Sequence, residues 1–190
     1  MILSDRDIKK CLRNGSLKVE PLEDEETQIQ PSGIDLRLGN QFKIFKSMST
    51  PYIDPKQPVE GYTEALELDG SRPFILHPGE FILGTTQEYI KMSDDLVGMI
   101  DGRTSLGRLG ISIHTTSAGI NPGWEGRLTL EISNSGKMPV ALYPGMRVCK
   151  LSFIKLSSPP EKTYRTKEGA KYQSQSGLEE SKLFKDFKWK

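Results

Sequence analysis

The chain has 190 residues, with 26 Lys plus Arg against 25 Asp plus Glu and a formal charge of +1. That balance excludes the strongly basic body of a protein that coats nucleic acid by neutralising phosphates, and it equally excludes an acidic tail protein. Hydrophobic residues make up 35%, and 18 Gly and 12 Pro punctuate short apolar runs, so the composition predicts one turn-rich globular domain. The first residues, Met1-Ile2-Leu3-Ser4-Asp5, turn polar too soon for a secretory signal, which points to the cytoplasm. The longest apolar runs are about five residues, against the roughly 20 that span a bilayer as a helix, so no membrane partner is expected.

Ser4 followed by Asp7 reads as a capping box ahead of Ile8, Cys11 and Leu12, with Gly15 placed to stop a short helix. From Ile34 the period changes to two: Ile34, Leu36 and Leu38 alternate with Asp35 and Arg37, as in a strand with one buried face. Further short strands are predicted at 42–45, 74–76, 81–83 and 96–100, and residues 51–60, with three prolines, read as a surface loop. Pro78-Gly79, Pro122-Gly123 and Pro144-Gly145 suit type II turns between strands. Leu128, Leu130 and Ile132 alternate with Arg127, Thr129 and Glu131, and Met138, Val140 and Leu142 form a second alternating run after the turn at 134–137. The fold class is therefore mainly β, a sandwich or barrel. Residues 1–156 form its body; 157–190 form a tail of the same domain. From Lys155 to the end there are nine Lys plus Arg and five Asp plus Glu. Such a segment builds no core of its own, so it either stays mobile or folds over something anionic.

Chemistry concentrates in three places. Asp101-Gly102-Arg103-Thr104-Ser105-Leu106-Gly107-Arg108 follows a strand and offers glycines, hydroxyls, free N–H groups and two arginines five apart. These are the ingredients of an anion site, although the Walker spacing is absent; the alternative is a polar turn with solvated arginines. In the second stretch, strand alternation places Thr129 and Glu131 opposite the leucine face, toward water or a pocket. In the tail, Tyr164, Lys171, Tyr172 and Gln175 are ordinary surface residues unless the segment is a lid, when Lys171 supplies a point charge for phosphate. Only Cys11, Cys149, His77 and His114 are present of the soft metal ligands, and they lack zinc-site spacing. Two ordinary thiols and two structural histidines are expected. Trp124 reads as packing. Phe184, Phe187 and Trp189, interleaved with lysines, are too short a segment to argue for nucleic acid.

In this order the stretches Ser4 to Ile8, Asp35 to Gly39, His77 to Glu80, Asp101 to Gly110, Ile120 to Glu131, Asn134 to Lys137 and Ala170 to Tyr172 resemble the dCTP deaminase family of the dUTPase-like superfamily. The resemblance implies a distorted β-barrel and a homotrimer whose active sites are shared between subunits. It puts the family's general acid/base on Glu131 and its nucleotide-binding loop on Arg103, Thr104, Ser105, Leu106, Gly107 and Arg108. The base and sugar pocket falls on Ser117 to Asn121 with Thr129, Leu130 and Glu131, and the tail contacts on Tyr164, Lys171 and Gln175. The implied reaction removes the 4-amino group of dCTP as ammonia, giving dUTP without zinc. Glu131 takes a proton from water held by Thr104 and the backbone near Ser117, while Arg108 orients Glu131 or contacts the triphosphate. Mg²⁺ is expected to arrive with the triphosphate.

Two departures bear on the product. Thr104 stands where the family usually has serine, and Asn121 where relatives carry aspartate; an amide is no base at neutral pH, so Asn121 argues against cleavage of the triphosphate. Ala118-Gly119 points the other way, because it resembles the small residues of bifunctional members. With the greater weight on Asn121, the expectation is dUTP release. A bifunctional enzyme forming dUMP, a plain dUTPase and a non-catalytic nucleotide-binding regulator are the alternatives. Inhibition by dTTP is left open.

Overall fold

The computed structural model describes residues 1–46, 51–59 and 61–187. Trp189, one of the tail aromatics, lies outside the described residues. Helix α1 (Asp5–Asn14) is capped as the sequence demands: Ser4 accepts from the Asp7 N–H, and Gly15 ends the helix at φ 77° with its N–H on the Leu12 carbonyl. Strand β1 (Leu17–Glu20), the four-residue helix α2 (Glu25–Gln28) and β2 (Ile29–Gln30) lead into β3 (Gly33–Phe45). Then follow β4 (Thr63–Glu67), β5 (Phe74–Leu76), β6 (Phe81–Met92), β7 (Leu96–Gly102), helix α3 (Thr104–Gly107), β8 (Ile111–Ser112) and β9 (Gly119–Ile120). The series ends with β10 (Glu125–Asn134), β11 (Val140–Leu142), β12 (Arg147–Lys155) and a terminal 3₁₀ turn, Leu183–Phe187. Among the described residues no helix is long and apolar enough to cross a membrane.

Ten strands form one curled sheet whose main path runs β8-β10-β6-β3-β12-β7-β9, with β1, β2 and β4 added at its margins; β5 and β11 pair separately. All the pairings are antiparallel. The core is a continuous apolar cluster that includes Ile34, Leu36, Phe42, Leu130, Ile132 and Phe153, and Ile8 of α1 packs into it. Each such side chain contributes about 1.5–3 kcal/mol on leaving water.

The periodicity holds best in β10, where burial alternates strictly from Glu125 to Asn134. It fails in β3. Asp35 is expected on a solvated face, yet it is only 4% exposed, because β3 is buried on both faces here and Arg103 and Arg147 lie against the carboxylate. Met138, expected in an alternating strand, lies before β11 and is 72% exposed. The segments predicted at 34–38 and 42–45 are one strand, β3, and the segment predicted at 81–83 is the start of the twelve-residue β6. Gly79, Gly123 and Gly145 all have φ between 75° and 85°, the conformation that the second central residue of a type II turn requires.

Of the two courses expected of the tail, mobile or folded, its described residues take the folded one. It folds along its own barrel as an extra edge: the Ser174 N–H donates to the Glu125 carbonyl and the Arg127 N–H to the Gln175 carbonyl, at 2.9 and 2.8 Å. Gly126 makes this docking possible. At φ 147° it sits so close that a Cβ would lie 2.8 Å from the Gln175 oxygen and 2.9 Å from its nitrogen.

Candidate active site

The register of β10 against β6 shifts between Arg127 and Thr129, where β6 carries the extra residues, and β10 itself keeps its alternation beside a cavity of about 490 Å³. Thr129 and Glu131 form one wall, and Ser117 and Asn121 border it from the segment around β9. The tail closes the other side with Tyr164, Tyr172 and Gln175. Ordinary strand alternation thus turns Glu131 toward the cavity, where its Oε2 accepts from the Thr115 N–H at 2.9 Å. That bond fixes one carboxylate oxygen and leaves the carboxyl half-buried at the cavity wall, where it can take or give a proton.

The tail is held by specific bonds. Gln175 is buried, and its Nε2 donates to Thr129 Oγ1 and, at 2.9 Å, to the Gly177 carbonyl. The Trp124 indole N–H donates to the Tyr172 carbonyl at 2.8 Å, and the Tyr172 N–H donates to the Tyr164 hydroxyl at 3.1 Å. Trp124 is packing, as expected, but its polar edge is also a tail anchor. Glu180 enters the cavity wall and binds Lys43 Nζ at 2.7 Å, with a hydrogen bond from the Thr63 hydroxyl at 2.6 Å. Burial by itself pushes this carboxyl up, but the bonds from Lys43 and Thr63 outweigh it and leave the group below its ordinary range.

The arginine segment stands elsewhere in the chain. Among the described residues, none of Arg103, Thr104, Ser105, Leu106, Gly107 and Arg108 lines the cavity that holds Glu131. Helix α3 presents Thr104, Ser105, Gly107 and Arg108 to solvent and buries Leu106 beneath them. Arg103 is turned back on the body: its Nε lies 3.4 Å from Asp35 Oδ2 and its Nη1 donates to the Arg147 carbonyl at 3.3 Å. Arg147 meets the same Asp35 oxygen at 3.3 Å. Burial pushes the Asp35 carboxyl up, and this outweighs the opposing pull of Arg103, Arg147 and Lys150. This pairing of a strand carboxylate with the arginine segment escaped the sequence reading, since the alternation of β3 put Asp35 in water.

The structure therefore gathers Ser117, Asn121, Thr129, Glu131, Tyr164 and Gln175, and leaves residues 103–108 apart from them in the single chain. Leu130 is fully buried in the core, so only its backbone is available to a ligand. Lys171 binds Asp186 of the terminal turn. Within one chain the described partner of Glu131 is the Thr115 amide and not Arg108. Gly126 and Glu180 also escaped the sequence reading; the glycine in Trp124-Glu125-Gly126-Arg127, inside an otherwise regular strand, was the available signal for a close backbone approach. Among the described residues, no group of three or more His, Cys, Asp or Glu side chains is arranged to hold a metal ion.

Residues 2–156 match the pattern of the dCTP deaminase-like family. The chain is 55% identical over 189 residues to "dCTP deaminase, dUMP-forming" of Dictyoglomus thermophilum, covering 98% of this chain and 97% of that protein. It is 48% identical over 185 residues to "dCTP deaminase" of Haloarcula marismortui, covering 96% and 95%. Among solved structures, the 2′-deoxycytidine 5′-triphosphate deaminase of Agrobacterium tumefaciens superposes with a TM-score of 0.63 at 25% identity, over 80% of this chain and 47% of that one. This chain thus matches about half of that longer chain.

Proposed function

Because the chain belongs to the dCTP deaminase-like family, we propose that it deaminates dCTP and then cleaves the triphosphate, releasing ammonia, pyrophosphate and dUMP. The observation that carries the deaminase reading is the Glu131 carboxyl, held by the Thr115 N–H at the wall of a nucleotide-sized cavity closed by the chain's own tail. Glu131 takes a proton from water; the resulting hydroxide adds to C4 of the cytosine. The same carboxyl passes that proton to the ring nitrogen, then carries the proton of the new C4 hydroxyl to the amino group, so that the C4 carbonyl forms as the C–N bond breaks and ammonia leaves. Gln175, Thr129 and the tyrosines orient base and sugar, while the tail excludes bulk water.

The second step is where this reading departs from the expectation of dUTP release. The relative at 55% identity carries the dUMP-forming name, and the one at 48% is named for deamination alone. This favours the Ala118-Gly119 signal over the Asn121 signal. Asn121 borders the cavity, where its amide can hold a water by hydrogen bonds but cannot deprotonate it. The base for attack on phosphorus is therefore another group.

The phosphates require cations, and the exposed Arg108 and the Asp35-held Arg103 are too useful to stand idle. We assign them, with Thr104 and Ser105, to the cavity of a neighbouring copy in a trimer, where they clamp the triphosphate beside Lys171. Mg²⁺ enters as part of the substrate, bound to the phosphates. The test is incubation with dCTP and separate assay of ammonia and pyrophosphate. One of each per nucleotide is expected; ammonia alone would return the reading to dUTP release, and neither product to a regulator.

A further inference from the structure

Residues 179–186 carry three carboxylates, Glu179 and Glu180 on the cavity wall and Asp186 beyond it, and each is paired with a lysine: Glu179 with Lys182, Glu180 with Lys43 and Asp186 with Lys171. The last pair stands out because Lys171 is the tail cation assigned to the triphosphate. Its side chain is only 19% exposed, and its ammonium is bound by Asp186, itself 52% exposed at the end of the terminal turn. That turn is anchored from both sides. The Lys182 N–H donates to the Tyr172 hydroxyl and Lys182 Nζ to the Lys171 carbonyl, both at 2.9 Å, while Lys56 Nζ sits 5.9 Å from the Phe187 ring centre. The basic tail thus supplies its own anions.

We propose that the terminal turn is an internal competitor of the nucleotide: the Asp186 carboxylate occupies Lys171 in the free enzyme, and a phosphate of the substrate must displace it. The exchange swaps one anion for another on a single cation, so the tail stays neutralised and closed when no nucleotide is bound, and the cost falls on affinity. This inference rests on the assignment of Lys171 to phosphate binding.

The experiment measures the Kd of a non-hydrolysable dCTP analogue for the full-length protein and for Asp186→Asn, Lys171→Ala and the double variant. Asp186→Asn is expected to tighten binding by about two- to fivefold, the size of one partly exposed ion pair. The double variant should match Lys171→Ala, because the competitor has no effect once its cation is gone. Unchanged or weaker binding by Asp186→Asn, with Lys171→Ala still impaired, overturns the competitor and leaves the deaminase reading standing. If Lys171→Ala binds as tightly as the parent, the phosphate assignment itself fails and takes the competitor with it.

Discussion

The cavity on β10 and the segment at α3 are built on opposite plans. Around the cavity one chain supplies everything that can be seen: Glu131 has its amide donor, Gln175 is buried on Thr129, and Trp124, Tyr164 and Tyr172 lock the tail in place. At α3 the structure is finished only on its inner side, where Leu106 is buried and Arg103 leans on Asp35, while Thr104, Ser105, Gly107 and Arg108 face solvent. In the proposed reading the first region serves the base and the proton, and the second offers its solvent-facing Arg108 to the phosphates. This division is what the proposed assembly requires, in which one copy's arginines complete another copy's pocket.

The largest test of that contrast lies in Glu131. Glu131→Gln keeps the Thr115 bond but removes the proton carrier, so kcat for ammonia release should fall on the order of 10²–10⁴-fold with nucleotide binding retained. Mixing it with Arg108→Ala sharpens the point. If the halves belong to different copies, co-expressed Glu131→Gln and Arg108→Ala chains should regain activity that neither has alone, whereas no recovery would mean that each chain works by itself.

A smaller effect is expected at the tail junction. Gly126→Ala puts a Cβ against the Gln175 backbone at a positive φ, and the tail must shift to admit it. The loss in kcat/KM should be roughly 10–100-fold, as for an angstrom-scale misplacement of a positioned group, with little change in the far-ultraviolet circular dichroism. Parent-like activity would show that the docked tail is dispensable.

The smallest concerns the Glu180 contact with Lys43 and Thr63. The folded carboxyl lies below its ordinary value, so its contribution to tail docking is fully present above the free-carboxylate pKa of about 4.3 and is lost as pH falls through the lower folded value. Amide resonances of Ser174 and Arg127, which report the tail bonds, should hold steady from neutral pH down to the free-carboxylate value of about 4.3 and shift only in more acid solution. In Glu180→Gln that acid transition should be weakened, and an unchanged transition would remove Glu180 from the latch.

Much of this was legible residue by residue. The Ser4 cap and Gly15 stop of α1, the Pro-Gly turns and the strict alternation of β10 are local rules; alternation turned Glu131 toward water or a pocket, and only the family resemblance chose the pocket. Asp35 was misread because period two says only that successive side chains point to opposite faces, and says nothing of whether the second face is covered. The destination of the tail was equally closed to a reading of composition: its surplus of lysine suggested that it folds over something anionic, and could not show that Glu179, Glu180 and Asp186 each pair with a lysine.

The sequence by itself determined the mainly β class, the place of the short helix, the turn positions and the kinship that brought Glu131, the arginine segment and the tail into one hypothesis. Only the tertiary structure decided that Gly126 admits the tail backbone, that Asp35 holds Arg103 and Arg147, and that residues 103–108 lie outside the cavity of their own chain. The division has a physical cause. Caps, turns and alternation depend on neighbours a few residues away, whereas docking, burial of the second sheet face and pairing of charges join residues up to more than 100 positions apart, whose meeting is set by the packing of the whole barrel.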